Sequence, residues 1–336
     1  MEPFRHDAYV CDPQKPAGMI PDELMQTIRA FQESRVILTA LELDLFTAVN
    51  DGAGAAEAAR RAGTDPRATE MLLNALVAMG LLTKQEGVFH NTPVAARYFD
   101  SRSPESARTA MMHTVHVFDR WAGLTEKVRG GPAAPFPWTE AFIAAMHYNA
   151  ADRAPSVVRA VGAEGVRRML DVGGGSGAYS IAFARANPEL HADVLDRPEV
   201  TAIARRHIRA AGLDARIATI DGDLTRDTFG AGYGLVLISA ICHMLSPREN
   251  LDLLERCREA LAPGGRVVIQ DFILNSDKTG PKTAALFSLN MLVATEAGAS
   301  YSEEEYVDWL GRARFTGIRR VPLPGPAHLM VAWAAP

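Results

Sequence analysis

A chain of 336 residues, 48% hydrophobic and 22% charged, can bury a full core and exceeds what one core usually organises, so two domains are expected. The 35 Lys and Arg against 40 Asp and Glu give a formal charge of -5 and no pull toward polyphosphates, and no stretch reaches the roughly 18 uninterrupted apolar residues of a spanning helix. Three scattered cysteines, Cys11, Cys242 and Cys257, make neither a disulfide framework nor a thiolate zinc site, so the expectation is a soluble cytoplasmic protein without a nucleic-acid or membrane partner.

Residues 1–20 carry Pro3, Pro13, Pro16 and Gly18 without periodicity and read as an arm. Over residues 21–48, Leu24, Ile28, Phe31, Val36, Ile37, Leu41, Leu45 and Phe46 recur at three-to-four spacing, which predicts two amphipathic helices or one bent one. Residues 55–62 and 67–79 read as short helices around Gly63-Thr64-Asp65-Pro66, where Thr64 or Asp65 can cap and Pro66 suits a first turn. Extended runs at 81–84 and 88–91 flank a turn containing Gly87, and the whole spells a winged helix. Such a module raises DNA binding as a reading. Residues 53–100, however, hold five bases (Arg60, Arg61, Arg67, Lys84, Arg97) against five acids (Glu57, Asp65, Glu70, Glu86, Asp100), and the second helix is largely apolar. A packing or dimerisation role fits that balance better than phosphate contact.

Residues 101–165 show helical patterns broken by Gly130-Gly131-Pro132 and Pro135-Phe136-Pro137, a joint between halves. Beyond it, apolar runs at 169–172, 192–195, 217–220, 235–241 and 267–274 alternate with helical segments at 176–186, 199–211 and 247–261. That rhythm predicts an α/β domain with a mostly parallel sheet covered on both faces. Runs at 318–321 and 329–333, separated by three prolines and a glycine, read as a closing hairpin.

The strongest local signal is Leu170-Asp171-Val172-Gly173-Gly174-Gly175-Ser176-Gly177, a strand ending in glycines that opens a helix. Gly173, Gly175 and Gly177 free the backbone to approach a ligand, and a helix N-terminus offers N–H groups. Asp196, 21 residues after Gly175, ends the next strand, where a carboxylate can accept bonds from two ribose hydroxyls. A nicotinamide site would need G-x-G-x-x-G, whereas this spacing is G-x-G-x-G with Asp171 two residues upstream. An acid there repels a pyrophosphate and suits an ammonium, so the ligand expected carries a cationic amine and one ribose.

On these residues the loop resembles motif I of the class I S-adenosylmethionine-dependent methyltransferases. The N-terminal helices with their wing, Asp221-Gly222-Asp223-Leu224, Ile238-Ser239-Ala240-Ile241-Cys242-His243 and Ala262-Pro263-Gly264-Gly265-Arg266-Val267 resemble, in order, the caffeic-acid and acetylserotonin type O-methyltransferases, from about residue 21 onward. The resemblance implies a Rossmann-like class I methyltransferase fold with a seven-stranded sheet behind a winged-helix dimerisation domain, and a homodimer. It implies S-adenosylmethionine as cofactor, giving S-adenosylhomocysteine, with no metal. Asp196 would bind the ribose, Asp223 and Leu224 the adenine, and Asp171 with the glycine loop the amino-acid end. His243 falls on the family's catalytic base and Asp271 on one of two acids that orient it. The chain departs from the pattern at Met244, where Asp often follows the histidine, near Ser300, where the second acid falls, and at Ser239, where plant members carry a cofactor-side Lys.

In relatives the helices around Met112, His113, His116 and Trp121, and around Met146, line the acceptor site, while Phe287, Asn290 and Met291 match its other wall and Met244 adjoins it. Methionines conform to flat apolar ligands, which suits a phenolic or aromatic acceptor, although a stripe at helical spacing also serves plain packing. The division expected is an arm (1–20), a winged-helix dimerisation domain (21–105), linker and pocket helices (106–165) and a cofactor-binding domain (166–336). The activity implied is O-methylation of a small, largely apolar acceptor by in-line transfer with His243 as base. Methylation of sulfur, carbon or nitrogen by proximity alone stays open, as does a structural His243, and a nicotinamide oxidoreductase or DNA-binding regulator stands further off.

Overall fold

The computed structural model describes residues 20–49, 52–131 and 138–335. Residues 1–19 of the expected arm, Cys11 among them, and Pro135-Phe136-Pro137 of the expected joint lie outside the described residues. The chain divides into two compact units, Met1–Pro132 and Ala133–Pro336.

In the first unit, α1 (Asp22–Glu42) and α2 (Leu45–Val49) take up the first apolar pattern. The core claims Val36, Leu38, Ala40 and Leu41, while Ile28 and Phe31 stay exposed, so the stripe continues past what this unit buries. A two-residue strand that the sequence did not signal, β1 (Ala53–Gly54), leads into α3 (Ala55–Ala62) and α4 (Pro66–Ala78). Gly63 closes α3 at φ 67°, and the Asp65 carboxylate accepts from the Ala68 N–H at 2.7 Å with Pro66 in the first turn, as its spacing predicted. Leu72, Leu73, Ala75 and Leu76 of α4 are buried. β2 (Leu82–Gln85) and β3 (Val88–Asn91) form the wing, and β3 also pairs with β1. Its two-residue turn, Glu86 and Gly87, has positive φ at both positions, the geometry that matches hairpin twist. The wing's Lys84 lies 3.8 Å from Glu70, and Arg60 and Arg61 both pair with Glu57. α5 (Pro93–Tyr98), α6 (Arg108–Ala122) and α7 (Leu124–Arg129) complete the unit.

The second unit opens with α8 (Trp138–Val161) and then alternates: β4 (Arg168–Val172), α9 (Ala178–Ala186), β5 (His191–Asp196), α10 (Pro198–Ala210), β6 (Ile217–Asp221), β7 (Tyr233–Ser239), α11 (Pro247–Ala260) and β8 (Leu261–Asp271). α12 (Lys282–Ala294), α13 (Glu303–Arg312), β9 (Phe315–Val321) and β10 (His328–Ala334) follow. The sheet runs β6-β5-β4-β7-β8-β10-β9, parallel from β6 to β8, with β10 antiparallel to both neighbours. The alternation and the closing hairpin predicted this mostly parallel sheet, and its seven strands are the class I methyltransferase arrangement that the resemblance implied.

Period-two alternation explains the two-sided burial. Leu170, Val172, Val236, Ile238, Val267 and Ile269 pack on one face against Leu253 and Leu254 of α11 and Tyr306 and Leu310 of α13. Met169, Leu235, Leu237 and Val268 pack on the other against Val157 of α8, Phe183 of α9 and Ile208 of α10. Each such side chain contributes on the order of 1.5–3 kcal/mol on burial, so one charge placed mid-strand would outweigh its neighbours' gain. Two strands stop earlier than their apolar runs suggested. β7 ends at Ser239 because Ala240 turns to φ 58°, and β8 ends at Asp271, whose carboxylate accepts from the Phe272 N–H at 2.8 Å.

Candidate active site

Chain order reverses between β4 and β7, since β5 and β6 lie to one side and β8 to the other. Such a switch opens a crevice at the strands' carboxyl ends. The residues singled out in the sequence collect there: the glycine loop after β4, Asp196 ending β5, Ser239 ending β7, His243 in the short 3₁₀ turn 242–244 and Asp271 ending β8.

In the loop, Gly173, Gly175 and Gly177 take φ 66°, 58° and 74°, a region closed to most side chains. The Gly173 N–H donates to the Leu195 carbonyl at 2.8 Å, and the Gly175 N–H donates to Asp196 Oδ2 at 2.9 Å. A Cβ on Gly174 would lie 2.8 Å from both Asp171 and Val194, whereas one on Gly175 would meet nothing within 4 Å. The loop is therefore packed beneath and open above. Asp171 lies fully buried under it, where Ser180 Oγ donates to Oδ2 at 2.8 Å and Oδ1 has no hydrogen-bond partner. Burial pushes this carboxyl up to about 6, the Ser180 bond offsets part of that, and the charge of Asp196 adds to it. Asp196 is likewise raised by burial, against the N–H bonds from Arg197 and Gly175 that favour its charge.

Asp223 is exposed and its carboxylate accepts from the hydroxyl and N–H of Thr225, which hold it below the usual carboxylate range. Leu224 packs on the inner apolar cluster near Gly173. Ser239 donates to Gln270 Oε1 at 2.8 Å, and Gln270 Nε2 is buried without a partner. The ring of His147 on α8 lies 2.8 Å from Ser176 Oγ and stacks on His207 at 4.0 Å, and burial, then His207, pulls it below the ordinary imidazole range. Nothing local in the sequence announced this clasp on the loop.

These residues fit S-adenosylmethionine: an open loop face for a close backbone approach, and a buried carboxylate oxygen lacking the donor that an ammonium would supply. Among the described residues no group of three or more His, Cys, Asp or Glu is placed to hold a metal ion.

Across the crevice His243 is buried, with Nδ1 2.7 Å from Asp271 Oδ1 and its own backbone N–H donating to Oδ2 at 3.1 Å. Phe287 meets the His243 ring edge-on at 4.7 Å and stacks on Phe272 at 4.1 Å. Gly298 is required against this turn, since a Cβ there would overlap the His243 carbonyl oxygen. Met244 is 45% exposed, Asn290 is exposed, and Met291 is buried on α12. Met146 is half-buried on α8. Met112, His113, His116 and Trp121 lie on α6 of the first unit, Met112 half-buried, the two histidines exposed and Trp121 67% exposed. Tyr301 and Tyr306, which the sequence pattern did not single out, also reach this end of the sheet. A Ser302-x-x-Glu305 capping box, directly after Tyr301, marked the start of α13, which carries Tyr306.

Residues 135–316 match the O-methyltransferase domain family and residues 25–101 the O-methyltransferase dimerisation domain. A similar protein, 3-hydroxy-5-methyl-1-naphthoate 3-O-methyltransferase of Streptomyces sahachiroi, is 35% identical over 93% of this chain and 94% of its own. An O-methyltransferase family 2 protein from Planctomyces limnophilus, solved in complex with apigenin, superposes with a TM-score of 0.79 at 28% identity, covering 97% of this chain and 99% of that one. The structure of PigF with SAH gives a TM-score of 0.55 at 28% identity over 94% of this chain and 100% of that one. The chain thus belongs to the O-methyltransferase family and is an S-adenosylmethionine-dependent methyltransferase of small molecules.

Proposed function

We propose that the protein methylates a hydroxyl on a small, flat, largely apolar aromatic acceptor, with His243 as general base and Asp271 orienting it. The observation that carries this is the 2.7 Å contact between His243 Nδ1 and Asp271 Oδ1 at the carboxyl edge of the sheet. A carboxylate facing Nδ1 selects the tautomer with its proton there and leaves the Nε2 lone pair for the acceptor. The stacked Phe272 and Phe287 supply an aromatic wall beside that ring. A naphthoate hydroxyl in the Streptomyces relative and apigenin in the Planctomyces structure support the acceptor class.

S-adenosylmethionine, when bound, supplies an electrophilic sulfonium methyl. In this reading Asp171 and the glycine loop hold its amino-acid end, Asp196 takes the ribose hydroxyls, and Leu224 beside Asp223 covers the adenine. Ser239 and Gln270 close the floor between the halves. His243 removes the phenolic proton as the oxygen attacks in line, and Asp271 stabilises the imidazolium. Segment 21–105 is read as the dimerisation domain of a homodimer and 106–165 as the helices facing the acceptor. Ile28, Phe31, Trp121, Leu124 and Val128, apolar and exposed in the single chain, suit a second copy. A monomeric mass in light scattering would overturn the dimer.

Label transfer from methyl-radiolabelled S-adenosylmethionine tests the chemistry, on hydroxynaphthoates, flavones, simple phenols, catechols, thiols, thioethers, amines and 2-oxo acids. Label on phenols that is lost in His243→Gln is the expected result. Label confined to sulfur, carbon or nitrogen and retained in the variant would replace base-assisted O-methylation by transfer through proximity.

A further inference from the structure

Asp271 is held by more than the histidine beside it. Its Oδ1 accepts from the Phe272 N–H at 2.8 Å and faces His243 Nδ1, while Oδ2 accepts from the His243 N–H at 3.1 Å and the Tyr306 hydroxyl at 3.2 Å. Tyr306 is fully buried on α13, and burial followed by the charge of Asp271 raises its phenol well above the ordinary range, so the hydroxyl stays a donor. Its ring packs edge-on against Tyr301 at 6.4 Å and Trp309 at 5.4 Å, and Tyr301 meets Trp309 at 4.8 Å. The Tyr301 hydroxyl donates to the carbonyl of Leu245, immediately after the turn that carries His243. The Tyr301 carbonyl accepts from the Leu274 N–H at 2.9 Å, which fastens the same segment to the chain leaving β8.

One aromatic cluster thus presents two hydroxyls, one to the histidine's turn and one to its carboxylate. The positions where the resemblance places further acids do not supply such bonds: Met244 has no donor or acceptor of that kind, and Ser300 is buried with its Oγ unpartnered. We propose that Tyr301 and Tyr306 form a hydroxyl bracket that positions the His243–Asp271 pair, in place of the acids absent at 244 and 300. Both are positioning residues, and the inference rests on the general-base reading above. Removing the Tyr306 hydroxyl leaves Oδ2 with a single backbone donor, so the carboxylate turns to share its remaining bonds and Oδ1 loosens from Nδ1. Removing the Tyr301 hydroxyl leaves the Leu245 carbonyl, which ends the turn, only the longer bond from the Asn250 side-chain amide at 3.3 Å.

The test uses full-length protein with ¹⁵N-labelled histidine, comparing wild type with Tyr306→Phe, Tyr301→Phe and the double variant, each of which keeps its ring. His243 signals are assigned by their loss in His243→Gln. The Nδ1 proton of His243 is expected far downfield and protected in wild type, displaced or broadened in each single variant and more so in the double, with calorimetric affinity for S-adenosylmethionine unchanged. Turnover on the acceptor found by the label panel is expected to drop about 10-fold in Tyr306→Phe. His243 ring signals identical to wild type in both single variants, with only thermal stability lowered, would reduce the bracket to packing. Full turnover in His243→Gln would remove the base reading alone, and the ring signals would still decide whether the hydroxyls hold the imidazole.

Discussion

The two halves of the crevice are built by different means. On the β4 and β5 side the chain itself does the holding: backbone N–H groups, three glycines at positive φ, and two carboxylates set at strand ends, all within 26 residues from Asp171 to Asp196. On the β7 and β8 side a single imidazole is aimed by groups gathered from far along the chain, Asp271 at 28 residues' separation and Tyr306 35 beyond that carboxylate. A backbone site tolerates little change in residue type but needs little support. A side-chain site depends on a shell whose members never appear in a short motif.

The sharpest break between the halves should come from His243→Gln, which removes the base proposed above and keeps a hydrogen-bonding side chain. Turnover on a phenolic acceptor should fall by about 10²–10⁴ fold while cofactor affinity stays at the wild-type value. Equal losses in both, measured by steady-state kinetics and calorimetry, would mean that the halves are not separate.

The cofactor half has its own signature in Asp171→Asn. Burial holds this carboxyl at about 6 in the folded chain against 3.8 for a free aspartate side chain. Below about pH 4 the group is protonated folded or unfolded, and the variant gains nothing. Between these values the folded state binds the extra proton, so wild-type stability from this group falls as pH rises, and above about 6 the full cost, roughly 3 kcal/mol, is present. Urea midpoints should therefore separate the variant from wild type at pH 8 and converge at pH 4, while cofactor binding at pH 8 weakens. A gap independent of pH would show that this carboxyl titrates alike in the folded and unfolded chains, so that burial does not raise it.

That half was also the legible one. Three glycines and an acid at fixed spacing describe a local turn, and strand alternation alone placed them on the sheet edge. His243 and Asp271 became visible through resemblance, since nothing local tells one strand-end histidine from another. The bracket was not visible at all. Whether Tyr301 and Tyr306 turn inward depends on where α13 lands against β8, a tertiary fact without a sequence period, although the capping box that starts the helix was there to be read. The unsignalled β1 is similar, since two residues become a strand only because β3 lies alongside.

Asp196→Ala should act within the cofactor half alone. On the proposed reading it removes an ionised acceptor for two ribose hydroxyls, about 1.5–3 kcal/mol, which corresponds to roughly 10–100-fold weaker binding of S-adenosylmethionine by calorimetry. It also leaves the Gly175 N–H without its carboxylate, so part of the loss is loop order. Unchanged affinity would move the ribose away from β5.

The smallest change tests whether the side-chain half really depends on distant support. Ser302 caps α13: its Oγ accepts from the Glu305 N–H at 3.4 Å and its own N–H donates to Glu305 Oε2 at 2.8 Å. Ser302→Ala touches neither His243 nor Asp271 and should cost about 1 kcal/mol in urea unfolding. If the first turn of α13 sets where Tyr306 presents its hydroxyl, the loosened cap should lower kcat several-fold and leave the cofactor affinity alone, because the β4 and β5 side makes no use of that helix. A stability loss with kcat unchanged would show instead that the core packing of Tyr306, Trp309 and Leu310 fixes the helix without its cap.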